Sequence, residues 1–198
     1  MDLESLSIIM IGDTSVGKTT LMKKFIDGIY NENILSTIGI ELFRKEVTIK
    51  NKNYIMKIWD TCGQERFRSI SKNYYQNAQG IMLLFDISSL ASFKHLSDWK
   101  SSLNDNVSNK NIPLVIVASK CDLTHVVTDE EIEKYSKEND GVKIFKTSSK
   151  TNMSIEEPFL YLGEAIIDFN KNNKTNNNTL KVHQEDIKPK KKKKCCEK

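Results

Sequence analysis

The residues that could do chemistry are concentrated first at positions 12–19, which read Gly-Asp-Thr-Ser-Val-Gly-Lys-Thr. This segment fits the phosphate-binding pattern G-x-x-x-x-G-K-[ST] at every position. The glycines let consecutive backbone N–H groups turn inward, and a helix beginning near Lys18 adds the positive end of its dipole. Lys18 is expected to reach the β- and γ-phosphates, and the Thr19 hydroxyl to coordinate Mg²⁺, a hard cation that prefers oxygen ligands. The segment predicts a nucleotide site; the simpler alternative is a glycine turn with an exposed lysine.

A second group of candidate residues follows the apolar segment 54–59, which is typical of a buried strand. Asp60 would stand at the carboxyl end of this strand, where a direct or indirect ligand of Mg²⁺ is expected. Gly63 could present its N–H group to a γ-phosphate, and Gln64 could orient an attacking water. These residues predict hydrolysis of a bound nucleotide.

A third group, Ser119-Lys120-Cys121-Asp122, follows another apolar segment at the height where a base would lie. The carboxylate of Asp122 can accept hydrogen bonds from both N1–H and the 2-amino group of guanine. Adenine lacks the second donor and has an acceptor at N1. Asp122 therefore predicts selection of guanine over adenine.

The elements that must position these groups alternate between short apolar strands and helix-length stretches. Strand-like segments occur at residues 6–11, 41–49, 54–59, 81–85, 114–118 and 142–145. This alternation predicts an α/β domain with a six-stranded, mostly parallel sheet and helices on both faces. The connection at 50–53 is so short that the second and third strands must pair as an antiparallel hairpin, which gives one antiparallel edge strand.

Composition limits the class of protein. A length of 198 residues allows one α/β domain, and the net charge of +4 comes from the end of the chain. Residues 175–198 carry eight lysines against three acidic residues, a net charge of +5, which leaves −1 for residues 1–174. A nearly neutral domain disfavours nucleic-acid binding. The four cysteines fit neither a disulfide framework nor a zinc site, and no signal peptide or membrane span is visible, so a reducing intracellular location is expected.

The end of the chain has a different character. Residues 1–171 are predicted to form the domain, and residues 172–198, rich in Asn, Lys and Thr, a disordered tail. Six lysines at 188–194 precede Cys195 and Cys196. A polybasic run beside two lipidatable cysteines predicts a multi-signal membrane anchor. A lysine-rich nuclear-localisation segment with incidental cysteines is the alternative.

Several short segments resemble the Ras superfamily of small GTPases, and within it the Rab family, over about residues 5–170 and again at the C-terminus. They are Ile-Gly-Ile-Glu-Leu at 38–42, Lys-Ile-Trp-Asp at 57–60, Glu-Arg-Phe-Arg-Ser-Ile at 65–70, Tyr-Tyr at 74–75 and Leu-Leu-Phe-Asp-Ile-Ser at 83–88. The resemblance implies that Thr37 contacts Mg²⁺ and the γ-phosphate, that Tyr30 stacks on the guanine edge, and that Lys120 packs along the guanine face.

The resemblance completes the set of expected site residues. The nucleotide would be bound by Thr14, Ser15, Val16, Gly17, Lys18, Thr19, Thr20, Tyr30, Thr37, Gly63, Ser119, Lys120, Asp122, Ser148, Ser149 and Lys150. Mg²⁺ would be held by Thr19, Thr37 and Asp60, Gln64 would be catalytic, and Cys195 and Cys196 would each carry a geranylgeranyl group.

By the same resemblance the chain is expected to be a monomeric switch in membrane trafficking that binds GTP or GDP with Mg²⁺ and hydrolyses GTP slowly. Its expected partners are effectors, an exchange factor, a GTPase-activating protein, a prenyl-transfer escort, a membrane-extraction chaperone and an anionic membrane surface. It would cycle between the cytosol and the cytoplasmic face of endomembranes or the plasma membrane. Two alternatives stay open: a nucleotide-binding scaffold with negligible hydrolysis, and a P-loop ATPase or kinase.

One departure from the Rab pattern bears on nucleotide retention. The family usually has Asn where this chain has Ser119, and the Asn amide holds the base loop against the phosphate loop. A shorter side chain with one hydroxyl predicts weaker retention and faster spontaneous exchange. Cys62 in place of a common Ala, and Leu42 in place of a common aromatic residue, leave the chemistry unchanged.

Overall fold

The computed structural model describes residues 3–32, 37, 39–62, 72–106 and 111–185. Within these residues, six strands form a single sheet in the order β2-β3-β1-β4-β5-β6. All neighbouring strands pair in parallel except β2 and β3, which are antiparallel, with β2 at the edge. This confirms the predicted sheet. The strands are β1 Ser5–Gly12, β2 Ile40–Ile49, β3 Lys52–Thr61, β4 Gly80–Asp86, β5 Leu114–Ser119 and β6 Ile144–Lys146.

Helices cover both faces of the sheet, as predicted. Buried side chains of α1 and α6 join one apolar cluster, and those of α2, α4 and α5 join a second cluster on the opposite face. The central strands contribute to both clusters, and this is why they read as continuous apolar segments. The helices among the described residues are α1 Lys18–Asp27, α2 Lys72–Asn77, α3 Leu90–Lys94, α4 Leu96–Asn106, α5 Asp129–Glu138 and α6 Glu157–Glu185.

The hairpin between β2 and β3 closes through two residues, Lys50 and Asn51. Both have positive φ, 50° and 60° respectively. Two successive residues of this kind make the type I′ turn that matches the right-handed twist of paired strands. The turn lies at the opposite end of the hairpin from Ile40 and Thr61, which are paired with each other.

Local capping explains where α5 begins. Thr128 accepts a hydrogen bond from the Glu131 N–H, and the Glu131 carboxylate accepts one from the Thr128 N–H, so α5 begins with a capping box. Residues 154–157, Ser-Ile-Glu-Glu, have a similar sequence pattern, but Ser154 has a φ of 48° and α6 begins only at Glu157.

The last helix extends beyond the predicted end of the domain. Its first turns are held by Phe159, Leu162 and Ile166, all fully buried against the sheet. The helix continues to Glu185. In the described ranges, no helix is both long and apolar enough to cross a membrane.

Candidate functional site

The phosphate loop lies between the end of β1 and the start of α1. Gly12, Ser15 and Gly17 all have positive φ, at 138°, 63° and 95°. A Cβ placed on Gly12 would lie 2.3 Å from the carbonyl oxygen of Leu84 in β4, so only glycine fits there. Gly17 is the N-cap residue of α1. The loop therefore curls over a helix N-terminus, the geometry that binds phosphate oxygens.

Lys18 is the buried cation of this loop. Its side chain is 5% exposed, and Nζ donates to the carbonyl oxygens of Gly12 at 2.8 Å and Asp13 at 2.6 Å. Burial lowers the pKa of Lys18 to about 8, although the carboxylates of Asp60 and Asp13 act in the opposite direction. Because pH 7 lies below this value, most of the protein carries the ammonium at neutral pH. The site therefore holds a positive charge ready for phosphate.

Three side-chain oxygens meet beside Lys18. Asp60 Oδ2 accepts hydrogen bonds from the hydroxyls of Thr19 at 2.5 Å and Thr37 at 3.2 Å, and the two hydroxyl oxygens are 2.6 Å apart. Asp60 is fully buried at the end of β3, and its Oδ1 has no partner among the described residues. Burial raises the pKa of Asp60, although the hydroxyls and the Lys18 charge oppose this.

This donor set fits Mg²⁺. It consists of oxygen atoms alone, and the orphaned Asp60 Oδ1 is a buried acceptor that needs a cation or a donor. In the described parts of the chain, no group of three or more His, Cys, Asp or Glu side chains could hold a metal ion. The structure thus brings together Thr19, Thr37 and Asp60, the predicted metal ligands.

The other end of the site is built from the segments that follow β5 and β6. Asp122 is exposed in this region, and its Oδ1 accepts a hydrogen bond from the Ser148 hydroxyl at 2.6 Å. Ser148 is fully buried and its Oγ also accepts from the Thr151 N–H at 3.1 Å. Ser148 therefore orients the Asp122 carboxylate, which presents two acceptor oxygens to a base.

Lys120 approaches the site from a strained backbone. Its φ is 59°, in the left-handed region, and its Nζ lies 2.7 Å from Asp86 Oδ2. Burial alone would raise the pKa of Asp86, but hydrogen bonds from Lys120 and Ser88 outweigh it and lower the pKa. Asp86 therefore stays ionised and holds Lys120 at the end of β4.

Ser119 connects the base end to the phosphate end. Its hydroxyl lies 2.5 Å from the carbonyl oxygen of Val16 in the phosphate loop and 2.9 Å from that of Phe85 in β4. The side chain is buried. A hydroxyl has one proton, so it can donate to only one of these carbonyls at a time. Ser119 therefore makes the contact between the two loops that is expected of Asn in the family, but with one donor proton in place of the two of an amide.

A cavity of about 470 Å³ joins the two ends, within the size range of small-ligand sites. Among its lining residues are most of the predicted nucleotide-binding residues. They are Thr14, Ser15, Gly17, Lys18, Thr19, Thr20, Tyr30, Thr37, Ser119, Lys120, Asp122, Ser149 and Lys150. Val16, Ser148 and Asp60 are buried behind the wall and position the residues that line it.

The cavity also contains residues that the sequence analysis did not select. These are Asn31, Glu32, Thr61, Cys62 and Leu123. Glu32 forms an ion pair with Lys150 at 3.0 Å, which links the segment after α1 to the base end. Asn31, Thr61 and Leu123 directly follow the selected residues Tyr30, Asp60 and Asp122, and this adjacency is the signal that the sequence offers for them. Gly63, Gln64, Cys195 and Cys196 lie outside the described residues, and their roles stay predictions.

A phosphate loop at the end of the first strand, an oxygen cluster suited to Mg²⁺ and an aspartate at the base end define the class of P-loop nucleotide-binding proteins. A family model described as the Ras family matches residues 7–168. The Ras-related protein Rab-10 of Diplobatis ommata is 38% identical over 162 residues, covering 81% of this chain and 80% of that protein. Rab-13 of Mesocricetus auratus is 35% identical over 188 residues, covering 94% and 91%. The chain therefore belongs to the Ras family, and within it to the Rab small GTPases.

Membership establishes the general activity. Ras-family GTPases bind GTP and GDP together with Mg²⁺ and hydrolyse GTP, and they act with regulators and effectors. The P-loop ATPase or kinase alternative is set aside by this membership.

Proposed function

We propose that this protein is a switch in membrane trafficking whose GTP form recruits effectors and whose GDP form releases them. The observation that supports this most is the cluster of Thr37, Thr19 and Asp60. It brings a residue from the segment between α1 and β2 against both the phosphate loop and the end of β3. A bound γ-phosphate and Mg²⁺ would add further contacts that hold Thr37 in this place, and segments ordered in this way are released on hydrolysis in other switches.

The chemistry of hydrolysis rests on position and charge. When bound, Mg²⁺ would neutralise charge that develops on the phosphates, and Thr19, Thr37 and Asp60 would hold it. Lys18 supplies a buried positive charge next to the phosphates, and Gln64 orients the attacking water. A partner supplies an arginine worth roughly 10³–10⁵ in rate, so hydrolysis by the protein alone is slow.

Replacement of Gln64 by Leu tests the catalytic assignment. We expect Gln64→Leu to bind GTP like the wild type, while single-turnover hydrolysis with Mg²⁺ falls at least about tenfold, the loss expected when a contact made in the transition state is removed. Gln76→Leu on α2 makes the same chemical change on the exposed surface and should hydrolyse GTP at the wild-type rate. An equal rate for wild type and Gln64→Leu would contradict the role of Gln64.

The scaffold alternative makes a different prediction for the same preparations. A scaffold with negligible hydrolysis would retain GTP unchanged in single-turnover assays of both wild type and Gln64→Leu. A scaffold that does not need nucleotide would be purified empty. Nucleotide extracted from the purified protein and identified by chromatography separates these cases from the switch, which should contain mostly GDP.

The trafficking role is carried over from the Rab relatives, and the tail supports it. Lysines in residues 188–194 stand next to Cys195 and Cys196, so two prenyl groups and an anionic membrane surface would act together. The partners that follow are an exchange factor, an activating protein, effectors, a prenyl-transfer escort and a membrane-extraction chaperone. The site of action would be the cytoplasmic face of endomembranes or the plasma membrane, in exchange with the cytosol.

A further inference from the structure

The phosphate loop contains an acidic residue, Asp13, at a place built to bind anions. A carboxylate near bound phosphates is electrostatically unfavourable unless it is turned away and compensated. Its side chain is turned to two N–H groups. Asp13 Oδ1 accepts from the indole Nε1 of Trp99 at 2.8 Å, and Oδ2 lies 2.7 Å from Nδ1 of His95. A carboxylate can only accept, so Nδ1 carries the proton in this contact.

Both donors come from the junction of α3 and α4. His95 is the C-cap residue of α3, and the Trp99 N–H donates to the His95 carbonyl oxygen at 3.0 Å in the first turn of α4. The Trp99 side chain is 5% exposed and belongs to the apolar cluster on that face of the sheet. The indole N–H is therefore fixed by packing, whereas the His95 side chain is half exposed.

The backbone carbonyl of Asp13 contacts Lys18, which lines the nucleotide cavity. This carbonyl oxygen accepts the second, shorter hydrogen bond of the Lys18 ammonium, at 2.6 Å. Asp13 thus joins two groups: the indole of Trp99 through its carboxylate and the phosphate-binding lysine through its carbonyl. Rotation of residue 13 would move the carbonyl that holds Lys18 and change the direction of the neighbouring loop N–H groups.

We propose that Trp99 is a positioning residue for nucleotide binding, acting through the Asp13 carboxylate on Lys18 and the phosphate loop, with His95 as a weaker second donor. The inference rests on the nucleotide binding of the proposed function. It assigns a role in nucleotide retention to α4, an element that contains none of the predicted site residues. An exposed contact contributes little, because water replaces it, so the half-exposed His95 ranks below the buried indole.

A double-mutant cycle tests this positioning role through the rate of GDP release. Trp99→Phe keeps an aromatic ring and removes the N–H donor. Loss of one hydrogen bond to a charged group predicts release of fluorescent GDP in Mg²⁺ buffer about tenfold faster than from the wild type. In the Asp13→Ala background the same change should alter release less than about twofold, because the acceptor is already gone. Trp59→Phe removes the other indole donor of the chain, which contacts Ser7 at 3.2 Å, and should leave release unchanged.

The outcomes separate positioning from packing. If Trp99→Phe accelerates release equally in both backgrounds, the indole acts through the apolar cluster and the proposal is overturned; an unchanged rate in the wild-type background also overturns it. Thermal unfolding of each variant shows whether the fold is kept. A wild-type protein that retains no guanine nucleotide would refute the proposed function itself, and this is seen before any variant is compared.

A spectroscopic measurement follows the contact without any nucleotide assay. In a proton–nitrogen spectrum the two indole N–H resonances are assigned by their loss in Trp59→Phe and Trp99→Phe. Asp13→Ala should move the Trp99 indole proton upfield, as expected when a hydrogen bond to a carboxylate is lost, and leave the Trp59 resonance in place. An unmoved Trp99 resonance would contradict the contact.

Discussion

At the scale of single residues, Ser119 shows how one side chain sets the strength of the link between the two ends of the site. Its hydroxyl reaches the carbonyl oxygens of Val16 and Phe85, but one proton cannot serve both. At any moment the hydroxyl can therefore donate to the phosphate loop or to β4, but not to both. An amide would supply two protons and could donate to both carbonyls together.

Substitution of Ser119 should change GDP release in both directions. We expect Ser119→Asn to slow release and Ser119→Ala to accelerate it, each by about two- to tenfold, the range for one neutral hydrogen bond. Stopped-flow release of fluorescent GDP measures both, and Ser101→Asn on the exposed surface of α4 is the matched control. Release from Ser119→Asn no slower than from wild type would refute the role of this departure from the family pattern.

At the scale of elements, the phosphate loop is seated directly on β4. Gly12 pairs with Leu84, and any Cβ at position 12 would overlap the backbone carbonyl of Leu84. The clash is with the backbone of a central strand, so rotation of a side chain cannot relieve it. A residue other than glycine at position 12 would therefore require the backbone of β4 to move.

Replacement of Gly12 by Ala tests this seating. We expect Gly12→Ala to lower the free energy of unfolding by at least about 3 kcal/mol, since overpacking and a strained φ of 138° both act. Gly28→Ala is the matched control: its φ is 71° and no atom would lie within 4 Å of the new Cβ, so only about 1 kcal/mol is expected. Urea unfolding of both variants measures the difference, and similar losses would contradict the seating of the loop.

The elements were predicted from sequence more completely than the contacts between them. Strands buried on both faces read as apolar segments, and the phosphate-loop pattern carries its own geometry. Contacts such as Asp13–Trp99 and Glu32–Lys150 join residues far apart in the chain, and no local pattern encodes them.

At the scale of the whole molecule, charge is divided between the domain and the end of the chain. Residues 1–174 carry −1 and residues 175–198 carry +5. An anionic leaflet attracts clustered lysines by about 1 kcal/mol each within a Debye length. The domain itself would feel little attraction, so under the proposed membrane attachment the end of the chain would bind the membrane and the domain would be left to contact partners.

Removal of the two terminal cysteines should release the protein from membranes. We expect Cys195→Ser with Cys196→Ser to move the protein expressed in cells into the soluble fraction, because the lysines alone bind reversibly and weakly. Replacement of the lysines at 190–194 by Gln should keep lipidation and weaken membrane retention. Intact-mass spectrometry of wild type checks the premise: two unmodified cysteines would remove the anchor from the proposal.

The antiparallel pairing of β2 with β3 has a consequence for how the nucleotide state can be sensed. Ile40 and Thr61 form one rung of the ladder, and the Cys62 N–H donates to the Gly39 carbonyl oxygen beside it at 3.0 Å. The residues that lead from Thr37 into β2 and those that follow Asp60 thus lie side by side at the edge of the sheet. A protein that binds over this small area would contact both segments at once. A small interface would therefore be enough to sense the positions of both.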